Sequence, residues 1–175
     1  PTERVKALAK EKKCTVREIT VCVLERPRHT ELIGELRQAG ARIRLITDGD
    51  VAGIIHCAET MITGVDMLMG LGGAPEGVLA ASALKCLGGQ IQGRLIFRTN
   101  DERKRAEKAG IKDMNQIYSL NDMVTKEVIF AASGVTDGSM LKGARVVGNM
   151  LETDTILMRS KTGSIRRLNY RQKIK

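Results

Sequence analysis

The sequence predicts an α/β domain with a layered sheet. Short β-branched apolar runs alternate with helix-period segments through the first hundred residues. Glycine or capping residues mark most of the boundaries between them. Successive apolar runs also end in polar, chemistry-bearing loops, as expected at the carboxyl ends of strands in such a sheet.

Taken in order, residues 3–12 predict a short helix with Val5, Leu8 and Ala9 on one face and Thr2 as a cap. Ile19 to Leu24 is continuously apolar or β-branched and reads as a buried strand running into Glu25-Arg26-Pro27-Arg28-His29. Thr30 opens a helix over Glu31 to Ala39, with Gly40 in the C-terminal capping position. Arg42 to Ile46 is a second strand, ending in Thr47-Asp48-Gly49-Asp50, and a helix follows from Val51 to about Glu59. Val65 to Met69 is a third strand. A glycine stretch, Gly70 to Gly77, leads from it into a helix beginning near Pro75 and stopped by Gly88-Gly89. Gln90 to Phe97 reads as another strand, and Asn100 caps a charged helix over 101–109. Val128 to Ala132 is strand-like and leads into a fourth polar loop, Ser133 to Gly138. Ala144 to Val147, Thr153 to Ser160 and Ser164 to Tyr170 then alternate, with Thr162-Gly163 as a turn. This predicts an antiparallel basic hairpin at the C-terminus.

The bulk composition bounds the function. The chain has 175 residues and 42% hydrophobic content, enough for one domain with its own core. Aromatics are only 2%, so the core is aliphatic, with Met filling gaps. A net charge of +9 favours anionic partners. Nucleic acid is disfavoured, because stacking platforms are scarce. The basic tail (Arg159, Lys161, Arg166, Arg167, Arg171, Lys173, Lys175) reads first as a solvated edge that discourages aggregation. The four cysteines form no CxxC pair, which suggests reduced thiols and a cytoplasmic protein. No apolar run approaches the ~20 residues of a membrane span. The chain begins at Pro1 rather than Met, which reads as a processed, cut or incomplete front end.

The strand-end loops hold the candidate site. Glycines let backbone approach a ligand, and a helix N-terminus favours an anion. Glu76, at that helix mouth, either complements the macrodipole or joins a hard divalent metal to a substrate phosphate. The stretch is neither a P-loop nor GxGxxG. Arg26 and Arg28 flank a stiffening Pro27, and serve either as a bidentate phosphate clamp or as surface charge. Asp48 and Asp50 bracket Gly49, as acceptors for sugar hydroxyls or a metal, or as an N-cap with an Asx turn. His56 falls inside a helix pattern and reads as structural; His29 serves an anion or caps the next helix. No Ser/His/Asp or Cys/His grouping is visible, so metal-assisted attack of water on a phosphate fits better than a protein nucleophile.

Three stretches in order, Leu24-Glu25-Arg26-Pro27-Arg28-His29, Thr47-Asp48-Gly49-Asp50-Val51-Ala52 and Gly70-Leu71-Gly72-Gly73-Ala74-Pro75-Glu76-Gly77, resemble the second half of the class II fructose-1,6-bisphosphatases. Gly88 to Leu95, Thr155 to Thr162 and Ile165-Arg166-Arg167 extend the resemblance over nearly the whole chain. It implies a layered sandwich of the sugar/inositol phosphatase type. The implied reaction is Mn²⁺- or Mg²⁺-dependent hydrolysis of the 1-phosphate of fructose 1,6-bisphosphate in gluconeogenesis. Some relatives also accept sedoheptulose 1,7-bisphosphate. By motif, Glu76 would be a metal ligand and Gly73 a substrate contact. Arg26, Pro27 and Arg28 would form the loop for the distal phosphate, and Asp48, Gly49 and Asp50 would contact the sugar. The family's acidic Asp-Pro-Ile-Glu-Gly-Thr type motif lies in a first half that has no counterpart between Pro1 and Lys175. The expectation is therefore that residues 1–175 are the C-terminal substrate-binding portion, inactive alone. Its expected partners are an N-terminal half, a phosphorylated sugar and, in the native enzyme, further copies of itself. The alternative is a non-catalytic phosphosugar-binding module.

Overall fold

The computed structural model describes residues 1–174; Lys175 of the basic tail lies outside the described residues. The helices are α1 (Thr2–Glu11), α2 (Thr30–Gln38), α3 (Asp50–Ala58), α4 (Thr60–Thr63), α5 (Ala74–Leu87), α6 (Asn100–Lys108) and α7 (Leu120–Met123). The strands are β1 (Thr20–Leu24), β2 (Arg42–Ile46), β3 (Met67–Leu68), β4 (Gln92–Gly93), β5 (Tyr118–Ser119), β6 (Ile129–Ser133), β7 (Arg145–Val147), β8 (Met150–Arg159) and β9 (Ser164–Lys173).

A three-stranded parallel sheet has the order β2-β1-β3. Central β1 is apolar along its length because both of its faces are covered. Val21 and Val23 pack with Val5, Ala9 and Leu36 of α1 and α2. On the other face, Gly53 of α3 sits so close to Leu68, Ile46 and Cys22 that an added Cβ would meet Leu68 Cδ1 at 2.8 Å. Helices α3 and α5 then share a second core with the antiparallel sheet: Ile55, Ala83 and Cys86 against Phe130, Ile156 and Met158. The chain is thus a mixed α/β structure in layers: helix, parallel sheet, helix, antiparallel sheet.

In the antiparallel sheet β8 lies between β6 and β7 on one side and β9 on the other. Ile156 and Met158 face the helices. By strand alternation Leu151, Thr153, Thr155 and Leu157 face away. Their cross-strand partners Val146, Tyr170, Leu168 and Ala131 share that outer face, which is open: Val146 is 60%, Tyr170 55% and Leu168 49% exposed. Part of the tail charge is matched by carboxylates: Lys161 pairs with Glu127, Arg167 with Glu59 and Arg171 with Glu152. Arg145 and Arg171 each bond Glu152 at 2.8 Å, which holds its carboxyl below the usual range and ties β7, β8 and β9 together.

Several elements depart from the sequence reading. Gln90–Phe97 shrinks to the two-residue β4, whose partner β5 is itself two residues long. The ladder of Val65–Met69 is confined to β3, although Asp66 N–H donates to Thr20 O and Met69 N–H to Cys22 O on either side of it. Thr99, not Asn100, caps α6 by accepting from Glu102 N–H at 3.2 Å. Pro1 occupies the N-cap position of α1, so Thr2 is its first residue rather than its cap. Strand β8 starts at Met150 and β9 runs on to Lys173, because each continues to pair with the other. All four cysteines are free; burial raises the Cys22 and Cys86 thiols and pushes Cys57 up to about 12, which keeps these three protonated at neutral pH. Among the described residues no helix is long and apolar enough to cross a membrane.

Candidate functional site

Parallel register brings the polar loops to one rim. Strand β1 ends at Leu24, opposite Ile46 at the end of β2, and Cys22 pairs with Leu68 at the end of β3. The chain leaving each strand therefore emerges on the same edge, the usual place for ligand loops in such sheets.

After β1, Pro27–His29 makes one 3-10 turn with Pro27 at its first position, where its missing N–H costs nothing. Arg26 precedes the turn and donates from Nη1 to Glu25 O at 3.0 Å. Arg28 donates from Nε to Leu71 O at 2.9 Å, across to the glycine loop. Its two Nη groups make no hydrogen bond or ion pair among the described residues, so the fork remains available for an anion.

After β2, Gly49 takes a left-handed conformation, φ +79°, and forms the N-cap of α3. Neither Asp48 nor Asp50 caps that helix through its side chain. Asp50 Oδ2 instead reaches the glycine loop, 3.2 Å from where a Cβ on Gly72 would stand.

After β3 the loop Gly70–Gly73 is exposed and leads into α5 with Gly73 as N-cap. Glu76 lies in the first turn, and its carboxylate folds back over Gly73. A Cβ at Gly73 would fall inside contact distance of Glu76 Oε2. Gly73 has φ −72°, so its backbone conformation does not call for glycine; what a side chain there would displace is the folded-back Glu76 carboxylate. The first-turn N–H groups of α5 lack intrahelical partners by geometry, which leaves them suited to an anion.

Arg26, Pro27, Arg28, Asp48, Gly49, Asp50, Gly73 and Glu76 thus lie in the loops and first helical turns that leave these three strand ends. Arg28 to Leu71 and Asp50 to Gly72 are their direct links. His29 is a residue whose role the sequence did not resolve. It neither caps α2 through its side chain nor faces solvent: it is 1% exposed and bonded to Leu24 O and Leu71 N–H, both at 2.8 Å. Its one sequence signal is position, directly after a proline turn that closes a buried strand. His56 is also buried; desolvation, then Arg44, favour its neutral form.

The donors on the rim do not complete a divalent-metal site. Glu76 brings one carboxylate, and among the described residues no three His, Cys, Asp or Glu side chains gather to hold a metal. A hollow of about 400 Å³ lies elsewhere, on the antiparallel sheet beside Ile129, Leu157, Arg159 and Arg166. It contains arginines but no carboxylate, and so lacks the mixed chemistry of the rim.

A family model described as bacterial fructose-1,6-bisphosphatase, glpX-encoded, matches residues 1–172. The chain is 36% identical over 179 residues to a D-fructose 1,6-bisphosphatase class 2/sedoheptulose 1,7-bisphosphatase of Synechococcus sp. (strain JA-2-3B'a(2-13)). That alignment covers 95% of this chain and 51% of the relative. A protein of the same description from Trichodesmium erythraeum (strain IMS101) is 39% identical over 178 residues, covering 94% of this chain and 51% of the relative. The chain spans about half the length of the curated relatives it matches. On the match over residues 1–172, this chain belongs to the glpX-encoded family of bacterial fructose-1,6-bisphosphatases.

Proposed function

We propose that residues 1–175 form the substrate-binding, C-terminal portion of a cytoplasmic sugar bisphosphatase. The full enzyme would hydrolyse the 1-phosphate of fructose 1,6-bisphosphate to fructose 6-phosphate and phosphate. The observation that carries this reading is the meeting of an arginine pair, an Asp-Gly-Asp turn and a glycine loop with a carboxylate at one sheet edge. Each suits a different part of a phosphorylated sugar.

Arg26 and Arg28 bind the distal phosphate through their planar forks, with Pro27 fixing their spacing. Asp48 and Asp50 accept hydrogen bonds from sugar hydroxyls, and Gly49 gives the turn that presents them. Gly73 lets the reacting phosphate approach the start of α5. Glu76 would contribute one oxygen ligand to Mn²⁺ or Mg²⁺, the remaining ligands coming from the half of the enzyme outside this chain. Such a metal supplies Lewis-acid charge stabilisation and activates water. The open outer face of the antiparallel sheet agrees with a layered sandwich of the sugar/inositol phosphatase type, completed by that other half. The lack of a metal-holding cluster among the described residues supports a second reading for the chain taken alone: it binds phosphosugar without turning it over.

The test is steady-state phosphate release from fructose 1,6-bisphosphate by the full-length protein with Mn²⁺ or Mg²⁺. Arg26→Ala with Arg28→Ala should raise KM about tenfold or more, the loss of charge-assisted phosphate hydrogen bonds, while changing kcat less. An unchanged KM would remove the arginines from the substrate site.

A further inference from the structure

We propose that His29 is a positioning residue that locks the arginine turn and the glycine loop into one register through the Leu71 peptide. The inference rests on the function proposed above, because it assigns substrate and metal ligation to those two loops.

The imidazole lies at the closed base of the rim. Nδ1 is 2.8 Å from Leu24 O, a carbonyl that can only accept, so Nδ1 carries the proton. Nε2 is 2.8 Å from Leu71 N, an amide that can only donate, so Nε2 offers its lone pair. The two contacts together select one neutral tautomer. Gly70 brings the loop within reach: a Cβ there would stand 3.2 Å from Cε1 and 3.3 Å from Nε2, pushing the loop off the ring.

The same peptide segment is held from its other side. Arg28 donates to Leu71 O at 2.9 Å, while His29 accepts from Leu71 N–H. Residues adjacent in sequence thus grip both polar groups of Leu71. The His29 backbone N–H also donates to Arg26 O at 2.8 Å, closing the turn that carries both arginines. Any shift of the ring therefore moves the glycine loop relative to the arginine pair. At 1% exposure the ring is fixed in place, and losing Nε2 removes the protein acceptor that holds Leu71 N–H.

His29→Gln and His29→Asn separate this role from plain core packing. Glutamine places its amide near the Nε2 position and keeps an acceptor for Leu71 N–H. Asparagine places it near Nδ1 and keeps only the contact to Leu24. Both bury an amide in the same place, so a purely structural role predicts similar losses for both. In the full-length protein, His29→Gln should keep KM for fructose 1,6-bisphosphate and the Mn²⁺ activation midpoint within about threefold of wild type. His29→Asn should raise one or both about tenfold, as expected for one lost buried hydrogen bond at a positioned site. Leu71 amide exchange should remain slow in wild type and His29→Gln and quicken at least about tenfold in His29→Asn. Equal kinetics in the two variants, or Leu71 exchange unaffected by His29→Asn, would overturn the proposal. If the wild-type enzyme released no phosphate, the functional reading would fail, while the exchange measurement would still decide the link between His29 and Leu71.

Discussion

Gly73→Ala in the full-length enzyme should lower phosphate release about 10²-fold while leaving the fold in place, the loss expected when a reacting group is displaced by about an ångström. A methyl on Gly73 claims the space that the Glu76 carboxylate occupies. The obstacle is the end of a flexible side chain, so the glutamate swings away and the backbone keeps its course. Exchanging glycine for alanine at an N-cap costs about 1 kcal/mol at most. In an enzyme about twice the length of this chain that lowers Tm by no more than roughly 2–4 °C. Glu76→Gln removes the charge without the steric change, and should cost about 10²–10³-fold in kcat, comparable to losing one electrostatic stabiliser of a transition state. The pair is informative because the two variants share one functional cause and differ in mechanism. Phosphate release assays with thermal unfolding beside them decide it. Full activity in Gly73→Ala would detach the folded-back carboxylate from the chemistry.

Gly134→Ala should instead unfold the antiparallel layer, at a cost of about 3 kcal/mol, the upper part of the range for overpacking a closed site. A Cβ on Gly134 falls on the Lys142 carbonyl, which is backbone and cannot rotate away. The two segments are already tied together. Ala144 N–H donates to Gly134 O at 3.0 Å, and Gly134 N–H donates to Asp154 O at 2.9 Å. Gly143 closes the approach from the other side, with an added Cβ 2.7 Å from Thr136 C. The predicted drop in Tm is roughly 6–12 °C at the same scaling. Gly34→Ala provides the control: nothing lies within 4 Å of an added Cβ on that helical glycine. It should stabilise by up to about 1 kcal/mol through helix propensity. Equal Tm values for Gly134→Ala and Gly34→Ala would show that the two segments do not pack as described.

The rim could be read from sequence because its chemistry is local. Each loop follows an apolar run, and parallel pairing then places the three loops on one edge without further information. Strand β1 was equally readable: burial on both faces leaves five consecutive apolar or β-branched residues, Thr20–Leu24. The rest depends on partners distant in the chain. Arg94 to Phe97 has strand composition but lies beyond the short ladder between β4 and β5. In the Ser133–Gly138 loop, read as a fourth candidate ligand loop, the exposed Asp137 accepts from Gly143 N–H at 2.9 Å and so closes the loop. That loop-closing bond is not legible locally, because it depends on the position of residue 143. His29 is the clearest case. Its role is defined by Leu71, 42 residues away, and a single histidine after Arg28 carries no periodicity that would reveal it.

The most direct test of the account is to measure phosphate release from fructose 1,6-bisphosphate with Mn²⁺ or Mg²⁺, using this chain alone, the other half of the enzyme alone, and the two combined. Release is expected only in the combined sample, because on the proposed reading Glu76 would be one ligand of a metal site completed by the other half. Metal-dependent turnover by this chain alone would contradict it.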